Sequence, residues 1–114
     1  MLAAIMREDS EFAWHAGEAL GALLRQLSAA EDDFGFEASL DSGILTVAFQ
    51  TTPARIRLVP HPATEQIWVT SGSRKHKLDW DVVENAFILE TTGQTLQEVL
   101  EEMISRVVGD DVSL

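Results

Sequence analysis

Phe36-Glu37-Ala38-Ser39-Leu40-Asp41-Ser42-Gly43-Ile44-Leu45-Thr46-Val47-Ala48-Phe49 reads as a β-hairpin. Phe36, Ala38 and Leu40 alternate with polar neighbours, the period of a half-buried strand. Asp41-Ser42-Gly43 is a turn signal, because glycine adopts positive φ without steric cost. Ile44–Phe49 is the returning strand. A connection this short joins antiparallel strands only, since parallel neighbours need a long crossover.

The same signals continue downstream. A third strand is expected over Ala54–Val59, where Ile56 and Leu58 alternate with Arg55 and Arg57, and Pro60-His61-Pro62 is expected to break it. Gln66–Thr70 reads as a fourth strand, Lys75–Trp80 as a fifth with His76, Leu78 and Trp80 on one face, and Ala86–Glu90 as a sixth. Ser71-Gly72-Ser73 supplies the turn between the fourth and fifth. Helical periodicity brackets the strands. Phe12, Ala16, Ala19, Leu20, Leu23 and Leu27 recur at three- and four-residue steps, predicting a helix over 11–29 with Ser10 or Asp9 as N-cap and Glu31-Asp32-Asp33 as a charged loop before Gly35. Thr95-Leu96-Gln97-Glu98 is a capping box, followed by the stripe Leu96, Val99, Leu100, Met103, Ile104 and Val107, with Gly109 as the stop. The fold class that follows is α+β: a two-layer sandwich in which both helices cover one face of an antiparallel, five- to six-stranded sheet and the other face meets solvent. The expected division is an N-terminal extension at 1–9, a single domain at 10–109 and a C-terminal tail at 110–114.

The chain has 114 residues, enough for one core. It carries 19 Asp plus Glu against 8 Lys plus Arg, a net charge of −11. That argues against general binding of nucleic acid or an anionic membrane, both of which select a positive field. Zero cysteines excludes disulfides, thiolate metal sites and thiol nucleophiles. No apolar run approaches the ~20 residues of a membrane span, and Met1–Met6 is too short for a signal-peptide core; the expected location is the cytoplasm. The charge is segregated. Residues 42–78 hold Arg55, Arg57, Arg74, Lys75 and Lys77 against one acid, Glu65, whereas the segments on either side are strongly acidic.

No hydrolase elbow, phosphate loop, dinucleotide fingerprint or zinc-protease motif is present, so no organic cofactor is expected. Two constellations stand out. Glu11, His15 and Glu18 lie at i, i+4 and i+7 and form a stripe flanking the apolar face of the first helix, which Glu8 extends if that helix begins earlier. Glu31, Asp32, Asp33, Glu37 and Asp41 follow. Carboxylates are hard ligands suited to divalent hard or borderline cations, with histidine adding borderline affinity; on pattern alone, solvation of a helix border is the simpler explanation. The second is Trp68. If Ile67 and Val69 face the helices, Trp68 faces the open side of the sheet, where it either marks a binding surface or is covered by neighbours such as Arg57 or His76. Arg74, Lys75 and Lys77 form a candidate cationic rim.

Taken in order, Ser10-Glu11-Phe12, Gly43-Ile44-Leu45-Thr46, Gln66-Ile67-Trp68-Val69-Thr70-Ser71, Lys77-Leu78-Asp79-Trp80 and Gly93-Gln94-Thr95-Leu96 resemble the frataxin family, its bacterial CyaY-like branch in particular, over about residues 10–107. The resemblance implies the same sandwich. It also implies an iron-binding accessory protein of iron–sulfur cluster assembly, regulatory rather than enzymatic, although iron oxidation is credited to some members. In that family, acids of the first helix and strand bind iron weakly and engage a cysteine desulfurase. The matching acids are Glu11, Glu18, Glu31, Asp33 and Glu37. The family's outward tryptophan, which contributes to the surface facing the desulfurase–scaffold complex, matches Trp68, with Gln66 beside it. Two departures are visible: Gly17, Leu24, Arg25, Ser28 and Ala29 stand where the family usually carries more acids, and Val59-Pro60-His61-Pro62 replaces its usual approach to the Gln-Ile-Trp strand. The expected partners are a cysteine desulfurase and an iron–sulfur scaffold protein, met by a monomer that oligomerises, if at all, with iron. The competing reading is an acidic α+β chaperone or adaptor that binds another polypeptide without metal.

Overall fold

The computed structural model describes residues 2–50, 52–109, 111–112 and 114, with side chains from residue 11 onward. Helix α1 (Leu2–Phe34) leads into strands β1 (Phe36–Asp41), β2 (Ile44–Phe49), β3 (Arg55–His61), β4 (Gln66–Ser71), β5 (Arg74–Asp81) and β6 (Ala86–Leu89), and helix α2 (Leu96–Val108) follows. The six strands lie in chain order, every neighbouring pair antiparallel. Six strands are therefore present among the described residues, the upper bound of the sequence expectation.

Helix α1 is longer than its predicted 11–29 at both ends. Leu2-Ala3-Ala4-Ile5-Met6 contains strong helix formers and no glycine or proline, so the helix starts well before Asp9 and Ser10, which lie inside it rather than at its cap. The side chain of Glu8 lies outside the described ones. At the other end, Glu31, Asp32 and Asp33 form the last turn instead of a loop, and Gly35, at φ 70°, stops the helix by donating its N–H to the Glu31 carbonyl at 2.9 Å. Thirty-three residues at ~1.5 Å each give a rod of about 50 Å, matching the long axis of the molecule, 50 Å. Helix α2 begins as predicted. Thr95 Oγ1 accepts from the Glu98 N–H, the Glu98 carboxylate accepts from the Thr95 N–H, and Gly109 closes the helix in the left-handed region.

The core lies between the helices and one sheet face. Phe12, Ala16, Leu20, Leu23 and Leu27 of α1 and Leu96, Val99, Leu100, Met103 and Ile104 of α2 are buried. They meet the inward residues of the strands, including Leu45, Val47, Ile56, Leu58, Ile67, Val69, Leu78 and Phe87. After α2 the chain folds back and buries Val112, whose N–H donates to Ser105 Oγ at 2.9 Å. No helix is long and apolar enough to cross a membrane among the described residues.

Strand β3 corrects the expectation of a break at Pro60. It continues to His61, pairing Pro60 with Ile67 and His61 with Gln66. On its other side, pairing with β2 stops at Leu45–Leu58. Pro60 thus lies beyond the end of β2, where a missing N–H removes no ladder bond.

Candidate functional site

Register fixes which side chains share the open sheet face. Val59 pairs with Trp68 and Trp68 with Lys77; one row on, His61 pairs with Gln66 and Gln66 with Asp79. Ile67 and Val69 are fully buried against the helices, so Trp68 between them points to the open side, as alternation requires. Its indole is half-buried and held from several directions. The His61 ring stacks on it with centroids 3.7 Å apart and planes 22° from parallel. Lys77 Nζ lies 4.4 Å and Lys75 Nζ 4.9 Å from the ring centroid, within cation–π range. Trp68 Nε1–H donates to Gln66 Oε1 at 3.0 Å, and Gln66 Nε2 donates to Asp79 Oδ1 at 3.0 Å.

Several expected roles change. His61, expected to fall in the break after the third strand, is a partner of the indole, because β3 runs through Pro60 and ends on His61. His76 faces the helix side opposite Val69 and does not cover Trp68. Arg57 shares the open face, but the ring contacts belong to His61, Lys75 and Lys77. Arg74 sits exposed at the β4–β5 turn, at the rim rather than on the ring. Gln66 is the hydrogen-bonded brace of the indole.

The acids fall on two flanks of α1: Glu18, in one stripe with Glu11 and His15, lines the cleft toward Trp80, β6 and the start of α2, whereas Glu31, Glu37 and Asp41 lie at the β1 edge. Glu11 and Glu18 are exposed on α1, Asp32 and Asp33 are exposed in its last turn, and Glu37 and Asp41 are exposed on β1, at its open-face positions. Glu31 is half-buried, and its Oε1 accepts from the Ala38 N–H at 3.4 Å. None of these acids forms an ion pair among the described residues, whereas Glu102 pairs with Arg106 at 2.8 Å. Nor do three or more potential metal ligands converge anywhere among those residues. His15 departs most from a ligand's usual setting. Its ring stacks on Trp80 at 3.8 Å and meets Trp14, 62% exposed, edge-on at 5.2 Å, beside a cleft of about 450 Å³ between α1 and the start of α2. The structure thus divides the acids between two flanks of α1 and draws neither set into a cage among the described residues.

A family model for the frataxin-like domain matches residues 6–110, nearly the whole chain. The chain belongs to the frataxin-like family. Among curated proteins it is similar to the iron–sulfur cluster assembly protein CyaY of Thioalkalivibrio sulfidiphilus, at 26% identity over 106 residues, covering 93% of this chain and 98% of that one. Among solved structures it resembles a frataxin from Psychromonas ingrahamii with a TM-score of 0.73 at 17% identity, covering 92% of this chain and 95% of that one. At that identity the structural likeness speaks to the frataxin fold alone, and it agrees with the helix, six-stranded sheet and helix described above.

Proposed function

We propose that this frataxin-like protein is a non-enzymatic accessory and regulatory component of iron–sulfur cluster assembly in the cytoplasm. It carries iron loosely as cargo on the exposed acids of α1 and β1 and docks on a cysteine desulfurase and its scaffold protein. The observation that carries the reading is that the exposed acids of α1 and β1 are unpaired: Glu11, Glu18, Glu31, Asp32, Asp33, Glu37 and Asp41 have no cationic partner among the described residues. Such carboxylates remain available to an external cation or to a basic protein surface. The similarity to a protein named for cluster assembly supports the choice of system. Without a closed ligand set, an ion shares few protein oxygens and keeps much of its water, so binding is weak and transfer easy. Trp68, braced by Gln66 and rimmed by Lys75 and Arg74, supplies the second contact, and the free protein is a monomer. Docking through exposed charge is screened over about 8 Å at physiological salt, so affinity falls as salt rises.

The test is capture of the tagged protein from its own cytoplasm. A pyridoxal-dependent desulfurase should be recovered at low salt and lost at high salt, and Glu31→Lys/Asp33→Lys should recover less. Recovery indifferent to both contradicts the docking. Titration with ferrous iron, comparing the wild type with Glu11→Gln/Glu18→Gln, tests the cargo site; an unchanged isotherm moves it elsewhere.

A further inference from the structure

The two outer edges of the sheet are finished differently. At β6 the chain returns along the strand: the Leu89 N–H donates to the Gln94 carbonyl at 2.8 Å, and Ile88 bridges to Thr95. Its edge groups are thereby partly occupied by the protein itself. Among the described residues, strand β1 has β2 as its one neighbour in the sheet. The Gln50 N–H donates to the Gly35 carbonyl at 3.1 Å, which sets the phase of the ladder. In an antiparallel pair the bonded residues alternate, so Glu37, Ser39 and Asp41 bond to β2 while the main-chain groups of Ala38 and Leu40 turn outward. The bond from the Ala38 N–H to Glu31 Oε1, on the side away from β2, gives the same phase independently. At 3.4 Å that bond is long. Natural edges are usually blunted by charged side chains, lysine above all, by proline, by a bulge or by a covering segment; the charges on β1 are the acids Glu37 and Asp41, which repel an acidic strand and admit a basic one. β1 has no proline or lysine, pairs without a bulge from Phe36–Phe49 to Asp41–Ile44, and exposes Ser39, Leu40 and Asp41. Its surroundings are acidic, with Glu37 and Asp41 on the strand and Asp32 and Asp33 just before it.

We infer that β1 receives an extended basic segment of the partner protein as a seventh strand. The segment's main chain bonds to Ala38 and Leu40, and its lysines or arginines, four residues apart on one face, reach Glu37 and Asp41 on the open side. The Glu31 carboxylate holds the Ala38 N–H until the segment arrives, then turns to one of its bases. The inference rests on the docking reading above and specifies how the acids at the β1 edge are engaged.

Leu40→Pro tests it, with purified cysteine desulfurase from the same organism as the probe. The proline deletes an outward N–H and no bond to β2, while Leu40→Ala controls for the lost side chain. Affinity should fall at least tenfold further in Leu40→Pro than in Leu40→Ala. In the wild type, amide hydrogen exchange at Ala38 and Leu40 should slow at least tenfold on binding, a readout that does not depend on the proline variant folding. Unprotected amides, or a folded Leu40→Pro that binds like Leu40→Ala, overturn strand addition and leave docking standing. A wild type that forms no complex overturns docking and the inference together.

Discussion

The acidic border where α1 meets β1 and the open sheet face are both turned to solvent, yet they are held in different ways. Trp68 is fixed by a stacked imidazole, two lysines and a hydrogen bond to Gln66, which is itself tied to Asp79. Among the described residues, no ion pair or hydrogen bond holds the carboxylates of Asp32, Asp33, Glu37 and Asp41, whereas Glu31 accepts from the Ala38 N–H. The difference teaches that the two surfaces do different work. A diffuse row of like charges supplies a field, which steers a basic partner from a distance and tolerates small changes of position. A braced indole supplies shape, which acts only on contact and is sensitive to its neighbours.

The comparison breaks most easily at the border. Glu31→Lys/Asp33→Lys reverses the field where α1 meets β1 and should weaken desulfurase binding about a hundredfold at low salt. The deficit should shrink at high salt, read by calorimetry at two ionic strengths; a salt-independent deficit would mean that these acids act by shape. Trp68→Ala should cost about thirtyfold, the scale of a buried aromatic anchor, and by about the same factor at both salt concentrations. His61→Ala sharpens the contrast further. Removing one stacked ring should cost about 1 kcal/mol, or roughly fivefold in affinity, and shift Trp68 emission to the red, with Trp14→Phe/Trp80→Phe as background. The smallest effect is expected at Glu102, an acid away from the border that does have partners. The Gln94 amide, at 3.0 Å, and then the charge of Arg106 hold its carboxyl below the usual range. A depressed carboxyl stabilises the fold above its unfolded pKa and loses that contribution as pH falls through the folded value. Glu102→Gln should therefore lower the melting temperature slightly near neutral pH, less at acid pH, and leave binding unchanged; solvent screening keeps the effect small.

Much of the fold was legible because both periodicities are clean. The α2 capping box, the alternation of Ile67 and Val69 about Trp68, and the α1 stripe each has a local cause written in adjacent residues. The misreadings were places where tertiary context prevailed over a local signal. Glu31-Asp32-Asp33 looks like a loop, but an established helix continues until Gly35 offers a left-handed stop. Pro60 looks like a strand breaker, but β2 has already ended beside it. That second misreading hid His61, since its place beside Trp68 follows only once β3 is carried through to pair with Gln66. The outward tryptophan could be read from alternation; the ring that covers it could not. The pairing of His15 with Trp80 was equally hidden, because it joins α1 to β5 across the sandwich and no short-range pattern encodes it.

The most direct test of two surfaces with separate tasks is an ¹⁵N spectrum of the protein as desulfurase is added. Amides from Glu31 to Asp41 and the Trp68 indole should respond, with the Glu31–Asp41 resonances recovering first as salt is raised. Perturbation confined to other regions, such as α2 and the β5–β6 turn, with the border and the indole unmoved, would contradict the separation of tasks.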